Sequence, residues 1–131
     1  MIAKRLPPCL PLAVAVFLAA CAAATVSATA PSRRMTSIGP VLADSGGMTL
    51  YTYDDDPPGV SACYRVCAIA WPPAEAAADA MPAGRFSVIT RSNGTKQWAI
   101  KGAPLYGYFR DAKPGDTRGD GDEGVWHVAR P

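Results

Sequence analysis

From residue 38 onward the chain alternates short apolar runs with turn-rich breaks. "IGPVLA" passes through Asp44-Ser45-Gly46-Gly47 into "MTLYTY". Glycines there tolerate positive φ, so the break predicts a tight turn between two strands. Successive strand side chains point to opposite faces. Thr49, Tyr51 and Tyr53 therefore share one face, and Met48, Leu50 and Thr52 the other. Further on, "RFSVIT" meets "TKQWAI" across Asn93-Gly94, a strong hairpin signal. "KG" turns the chain into "APLYGYF", where Pro104 marks a strand start or an edge. "GVWHVA" supplies a last strand.

Helical spacing is scarce. "VSACYRVCAIAW" places Val60, Cys63, Cys67 and Trp71 along one side of a helix over 60–71, ended by Pro72 and Pro73. "PAEAAADAM" predicts one or two helical turns. The pattern predicts a mainly β fold, with a small α+β arrangement as the alternative. Two tandem β-hairpin or meander repeats would carry one or two short helices.

The repeats are visible as a fixed period. "GMTLYTYDDD" at 47 returns as "GAPLYGYFRD" at 102, so Tyr51, Tyr53 and Asp56 recur as Tyr106, Tyr108 and Asp111. The same offset of 55 carries Leu50 onto Leu105 and Trp71 onto Trp126. Ungapped, residues 37–76 share nine identities with 92–131, where chance gives about two or three.

Ahead of this region the pattern changes. Lys4 and Arg5 precede an uncharged apolar stretch, Leu10 to Ala20, of signal-peptide length and too short to span a bilayer as a helix. It ends in Leu18-Ala19-Ala20-Cys21, which resembles the bacterial lipobox. That resemblance implies cleavage after residue 20 and lipidation of Cys21; an ordinary secretory signal with a chance cysteine is the alternative. Ala22, rather than Asp, follows Cys21. By resemblance to Gram-negative sorting this implies the outer membrane, facing the periplasm. Residues 22–35, rich in Ala, Ser and Thr, read as a flexible tether with a mean reach of roughly 20 Å. Arg33 and Arg34 read as solvated tether charges, with contact to lipid headgroups as the alternative. The organisation expected is a signal peptide at 1–20, a lipidated cysteine and tether at 21–35, and a repeat domain at 36–131.

Cleavage also changes the charge. Of 13 basic and 11 acidic side chains, Lys4 and Arg5 leave with the signal, so the mature chain is formally neutral. A nucleic-acid partner loses its electrostatic support. The partners expected are a membrane, through the lipid, and an unspecified envelope protein or small ligand.

The matching pieces "GPVLADSGGMTLYTYDDD", "CYRVCAIAWPP", "TRSNGTKQWAIKGAPLYGYFRD" and "KPGDTRGDGDEGVWHVARP" resemble a bacterial secreted repeat of unknown function. It occurs in predicted lipoproteins with a Tyr-x-[Phe/Trp/Tyr]-x-x-Asp motif. The resemblance covers nearly all of residues 38–131 and implies envelope location and tandem architecture, with no activity to carry over.

Chemistry is sparse. Tyr51, Tyr53, Asp56, Tyr106, Tyr108 and Asp111 read first as scaffold, with rings packed and each Asp accepting backbone or tyrosine donors. A paired aromatic-acid binding site is the sharper alternative. Cys63 and Cys67 read as a disulfide staple, which adds about 2 kcal/mol by loop entropy; a redox-active pair is the alternative. Asp54 and Asp55, with Asp116, Asp120 and Asp122 in "DAKPGDTRGDGDEG", are the candidates for a divalent cation, although their spacing fits no EF-hand loop. The embedded Arg118-Gly119-Asp120 matches an adhesion tripeptide, a three-residue coincidence that carries almost no weight. His127 has no nucleophile-elbow motif to serve. No cofactor and no catalytic residue is expected.

Overall fold

The computed structural model describes residues 26–131. The signal peptide, Cys21 and most of the tether expected at 22–35 lie outside the described residues. Eight strands, one short helix and one 3₁₀ turn make up the fold: β1 Ser32–Thr36, β2 Gly39–Ala43, β3 Tyr51–Tyr53, α1 Val66–Ala70, β4 Glu75–Ala76, β5 Phe86–Thr90, β6 Lys96–Ile100, β7 Ala103–Pro104, the 3₁₀ turn Asp122–Gly124 and β8 Trp126–Val128. The mainly β expectation holds.

Both expected turns form. The chain after β2 turns at Gly47 (φ 83°), where Asp44 Oδ1 accepts the amides of Gly46 and Met48. β5 and β6 pair antiparallel from Phe86↔Ile100 to Thr90↔Lys96 around Asn93-Gly94, with Gly94 at φ 86°. β1 and β2 form the matching hairpin of the first repeat.

Strand alternation then separates two apolar clusters. Leu50 and Leu105 enter one, with Leu42, Trp98 and Ile100. Tyr51 and Tyr106 enter the other, with Trp71, Trp126 and Cys63.

The two repeats exchange strands. β3 of the first pairs with β8 of the second, Tyr51 opposite Val128. Tyr106 of the second bridges Pro73 of the first. Leu42 N–H donates to Ala129 O and Ala129 N–H to Leu50 O. In the other half Trp98 N–H donates to Ala74 O and Ala74 N–H to Leu105 O. At the centre Tyr51 and Tyr106 exchange both backbone bonds, at 2.7 and 3.0 Å. This reciprocity relates the repeats by an approximate twofold rotation.

Three sequence expectations change. The flexible tether does not run to 35. Ser32–Thr36 is a strand, and Ser27 bridges Ala76 in parallel, with Ser27 N–H donating to Glu75 O and Ala77 N–H to Ser27 O. β1 is an exposed edge strand, so its sequence carries no apolar alternation. Arg33 and Arg34 are on this strand. The helix over 60–71 shrinks to Val66–Ala70 because Arg65 takes a left-handed φ of 56° and breaks it on its N-terminal side. The Ala-rich stretch expected to be helical contributes β4, paired to β6 through Glu75↔Gln97 and Ala76↔Lys96. Pairing on both sides outweighs helix propensities of at most about 1 kcal/mol per residue.

If residues 27–31 are part of the folded unit, the amides of Ser27 and Ala77 will exchange with solvent as slowly as those of β6. Exchange of Ser27 at the rate of an unstructured chain would return that segment to the tether.

Candidate functional site

The motif residues converge across the repeat boundary. Tyr53, Trp126, Trp71 and Tyr108 form a continuous stack, with centroid spacings of 4.3, 3.9 and 4.3 Å. The approximate dyad passes between the two tryptophans, whose planes lie 3° apart. Tyr51 meets Trp71 edge-on at 5.3 Å, and Tyr106 meets Trp126 the same way at 5.3 Å. Such aromatic pairs add about 0.5–1.5 kcal/mol each beyond their buried area.

The hydroxyls repeat the exchange. Tyr51 O–H donates to Asp111 Oδ2 at 2.6 Å, and Tyr106 O–H to Asp56 Oδ2 at 2.7 Å. Each aspartate also fixes the loop after it: Asp111 Oδ1 accepts Arg118 N–H, and Asp56 Oδ1 accepts Ala62 N–H. Burial, then the Asp111 bond, pushes the Tyr51 hydroxyl far above the ordinary tyrosine range. Tyr106 moves the same way, again by burial, with the Ser61 bond opposing and Asp56 reinforcing. Burial also raises the Asp56 carboxyl, against the pull of Ala62 N–H, Tyr106 and Arg91. Neither hydroxyl is a base or nucleophile near neutral pH. All six motif residues are therefore placed together, as a packed interlock.

A residue missed in the sequence supports one half. Arg91 is 4% exposed, donating to Ser61 Oγ (2.9 Å), Gln97 Oε1 (2.8 Å) and Cys63 O (2.7 Å), with its guanidinium 4.3 Å from the Tyr64 ring centroid. Its only sequence signal was a position just before a hairpin turn.

Cys63 and Cys67 are bonded, with Cα atoms 5.2 Å apart. Cys63 is fully buried in the aromatic cluster, which suits a staple. The cation candidates disperse. Asp54 meets His127 Nε2 at 2.8 Å, Asp55 accepts from Tyr53 O–H, and Asp120 accepts Val128 N–H. Asp116 is held by Lys113 and the Ala112 and Lys113 amides, and Asp122 opens the 3₁₀ turn. Among the described residues no three His, Cys, Asp or Glu side chains come together as a metal site. Gly119 of the adhesion-like tripeptide is wedged under the rings, where a Cβ would lie 2.6 Å from Trp71 and 2.9 Å from Tyr108.

Beside the interlock lies an open cleft of about 540 Å³. Its walls are the Ser27–Pro31 segment, the turn at Asp44–Gly46, residues 72–75 and the stretch Gly107–Asp111, over buried Leu50 and Trp98.

The interlock sets two expectations. Tyr51→Phe and Asp111→Ala will each destabilise by about 1–3 kcal/mol, and the double variant by less than their sum, since one bond is lost in all three. Strict additivity in denaturant titrations would show that the bond contributes nothing. The second concerns acid. Lys113 and the Ala112 amide bring Asp116 down to about 2. A carboxyl lowered by folding contributes stability present above its unfolded pKa and lost as pH falls through the folded value. Asp116→Asn will therefore flatten the loss of stability between roughly pH 4 and 2. Asp56, raised by folding, gives the opposite sign: its ionised form costs stability that protonation returns. Asp56→Asn will therefore steepen the acid loss. Urea midpoints against pH read both slopes.

A family model described as a secreted repeat of unknown function matches residues 32–75 and again 87–130. No curated protein and no solved structure matches the chain significantly. The two matched segments are the two halves that exchange strands, and together they cover most of the chain. The chain belongs to this family of secreted repeats of unknown function and carries two copies of its unit.

Proposed function

We propose that this chain is a lipid-anchored, non-enzymatic module of the cell envelope that works by binding. The observation that carries the reading is the use made of the motif. The hydroxyls of Tyr51 and Tyr106 and the carboxylates of Asp111 and Asp56 are bonded to each other across the repeats, and the carboxylates also to backbone amides. That leaves the motif as scaffold and the cleft beside it as the surface open to a ligand. The redox alternative would need an exposed, acidified thiol, whereas Cys63 is wholly buried and Cys67 half-buried against the aromatic cluster.

The anchor reading rests on Leu18-Ala19-Ala20-Cys21, which lies outside the described residues. Only residues 22–26 separate that cysteine from Ser27, a contour of at most about 20 Å. An acyl chain at Cys21 would keep the cleft near the membrane, each buried CH₂ contributing about 0.8 kcal/mol. In a Gram-negative cell, Ala22 after the cysteine favours the outer membrane, with the domain in the periplasm.

Cells fed a labelled fatty acid will label the wild-type protein and not the Cys21→Ser variant. Equal labelling of the two would remove the lipid anchor and, with it, the proximity of the cleft to the membrane.

A further inference from the structure

Resting on the binding role proposed above, we infer that the cleft takes a small organic monocation with an aromatic or apolar body, such as an arylalkylamine. Its volume of about 540 Å³ falls within the range of roughly 300–1,000 Å³ usual for small-molecule sites. Among the described residues three carboxylates line it, Asp44, Glu75 and Asp111, and no Lys, Arg or His does. Trp98, Tyr108 and Phe109 supply aromatic surface. Aromatic walls with a negative rim favour a cation carrying apolar bulk.

The three carboxylates have different duties. Asp111 is committed to Tyr51 and Arg118 N–H, and so contributes a fixed charge. Asp44 uses Oδ1 to cap its turn, and its Oδ2 makes no hydrogen bond among the described residues. Glu75 spends its backbone on Ser27 and β6, and its carboxylate has no hydrogen bond or ion pair among the described residues. Asp44 and Glu75 are thus the acceptors left for an ammonium group. Arg110 lies against Phe109, 5.2 Å from the ring centroid, but does not line the cleft.

The other half of the molecule gives an internal comparison. The position that repeats Glu75 is Arg130, and the position that repeats Pro72 is His127. Arg130 donates to Ile38 O and Pro40 O, over the β1–β2 hairpin of the first repeat. The duplication that shares the interlock has therefore reversed the charge at this place, and the acidic cleft, lined by both repeats, has Glu75 where the equivalent place has Arg130.

The test is a titration of the isotope-labelled mature chain, following the indole Nε1–H of Trp98, which donates to Ser27 O at the cleft wall. Three probes of similar shape are used: phenethylamine, phenethyl alcohol and 3-phenylpropanoate. The amine is expected to shift this resonance saturably at millimolar concentration, with the alcohol roughly tenfold weaker and the carboxylate inert. Glu75→Gln is expected to weaken the amine by roughly tenfold and leave the alcohol unchanged, as loss of one charge-assisted bond requires. Equal binding of all three probes would overturn the cation class and leave the binding cleft standing. No shift with any probe, in a chain whose spectrum is folded, would overturn the cleft as a binding site altogether.

Discussion

Two hydrogen bonds, Tyr51 to Asp111 and Tyr106 to Asp56, carry the logic of this domain, because each joins a residue of one repeat to a residue of the other. A single repeat would hold a buried tyrosine hydroxyl without an acceptor and an aspartate without its donor. It would also lack the strand that closes its sheet, since β3 pairs with β8 and Tyr106 with Pro73. An unpaired buried polar group costs about 1–3 kcal/mol, and a small unit of some 44 residues has little core to offset it. The unit is therefore stable as an exchanged pair. The face-to-face Trp71 and Trp126 rings follow from the same rotation, since the dyad passes between them.

With the interlock shared, the loops between motif aspartate and tryptophan are free to differ, and they do. Both spans are of equal length, from Asp56 to Trp71 and from Asp111 to Trp126. The first is held by the Cys63–Cys67 disulfide and by buried Arg91, which bonds Cys63 O and Ser61. The second has neither. Asp116 gathers the Ala112 and Lys113 amides, Asp120 takes Val128 N–H, and Gly119 slips under the rings. The acidic, glycine-rich loop that reads as a cation candidate is doing with carboxylates what the first loop does with a covalent bond and a buried guanidinium.

Period and alternation were legible in the sequence because they are properties of single positions. The offset of 55 names the equivalent residues, and the opposite faces of Leu50 and Tyr51 foretell the two clusters. Asn93-Gly94 foretells its hairpin through backbone freedom alone. What stayed hidden depends on partners. No local pattern says that β3 will pair with β8 rather than within its own repeat. Ser32–Thr36 is an exposed edge, so it has no apolar face to betray it. Glu75–Ala76 carries helix-forming neighbours and becomes a strand because Ser27 and β6 pair on either side of it. Arg91 resembles any turn-flanking arginine until Ser61, Gln97 and Cys63 are placed around it.

The same distinction bears on where function resides. A motif that defines a family invites the inference that it defines the activity. Here Tyr51, Tyr106, Asp56 and Asp111 spend their polar atoms joining the two halves and fixing the loops that follow, and burial holds the Tyr51 and Tyr106 hydroxyls protonated. Changing Tyr51, Tyr106, Asp56 or Asp111 would therefore cost the fold stability first of all. Positions outside the interlock are under no such constraint, and the halves have diverged there: Glu75 against Arg130, Pro72 against His127, Cys63 and Cys67 against Arg118 and Asp122. An acidic cleft, lined by residues of both repeats, lies at one of these divergent places. In a duplicated fold whose symmetric part is structural, the departures from symmetry are where a binding function can evolve without loss of the scaffold.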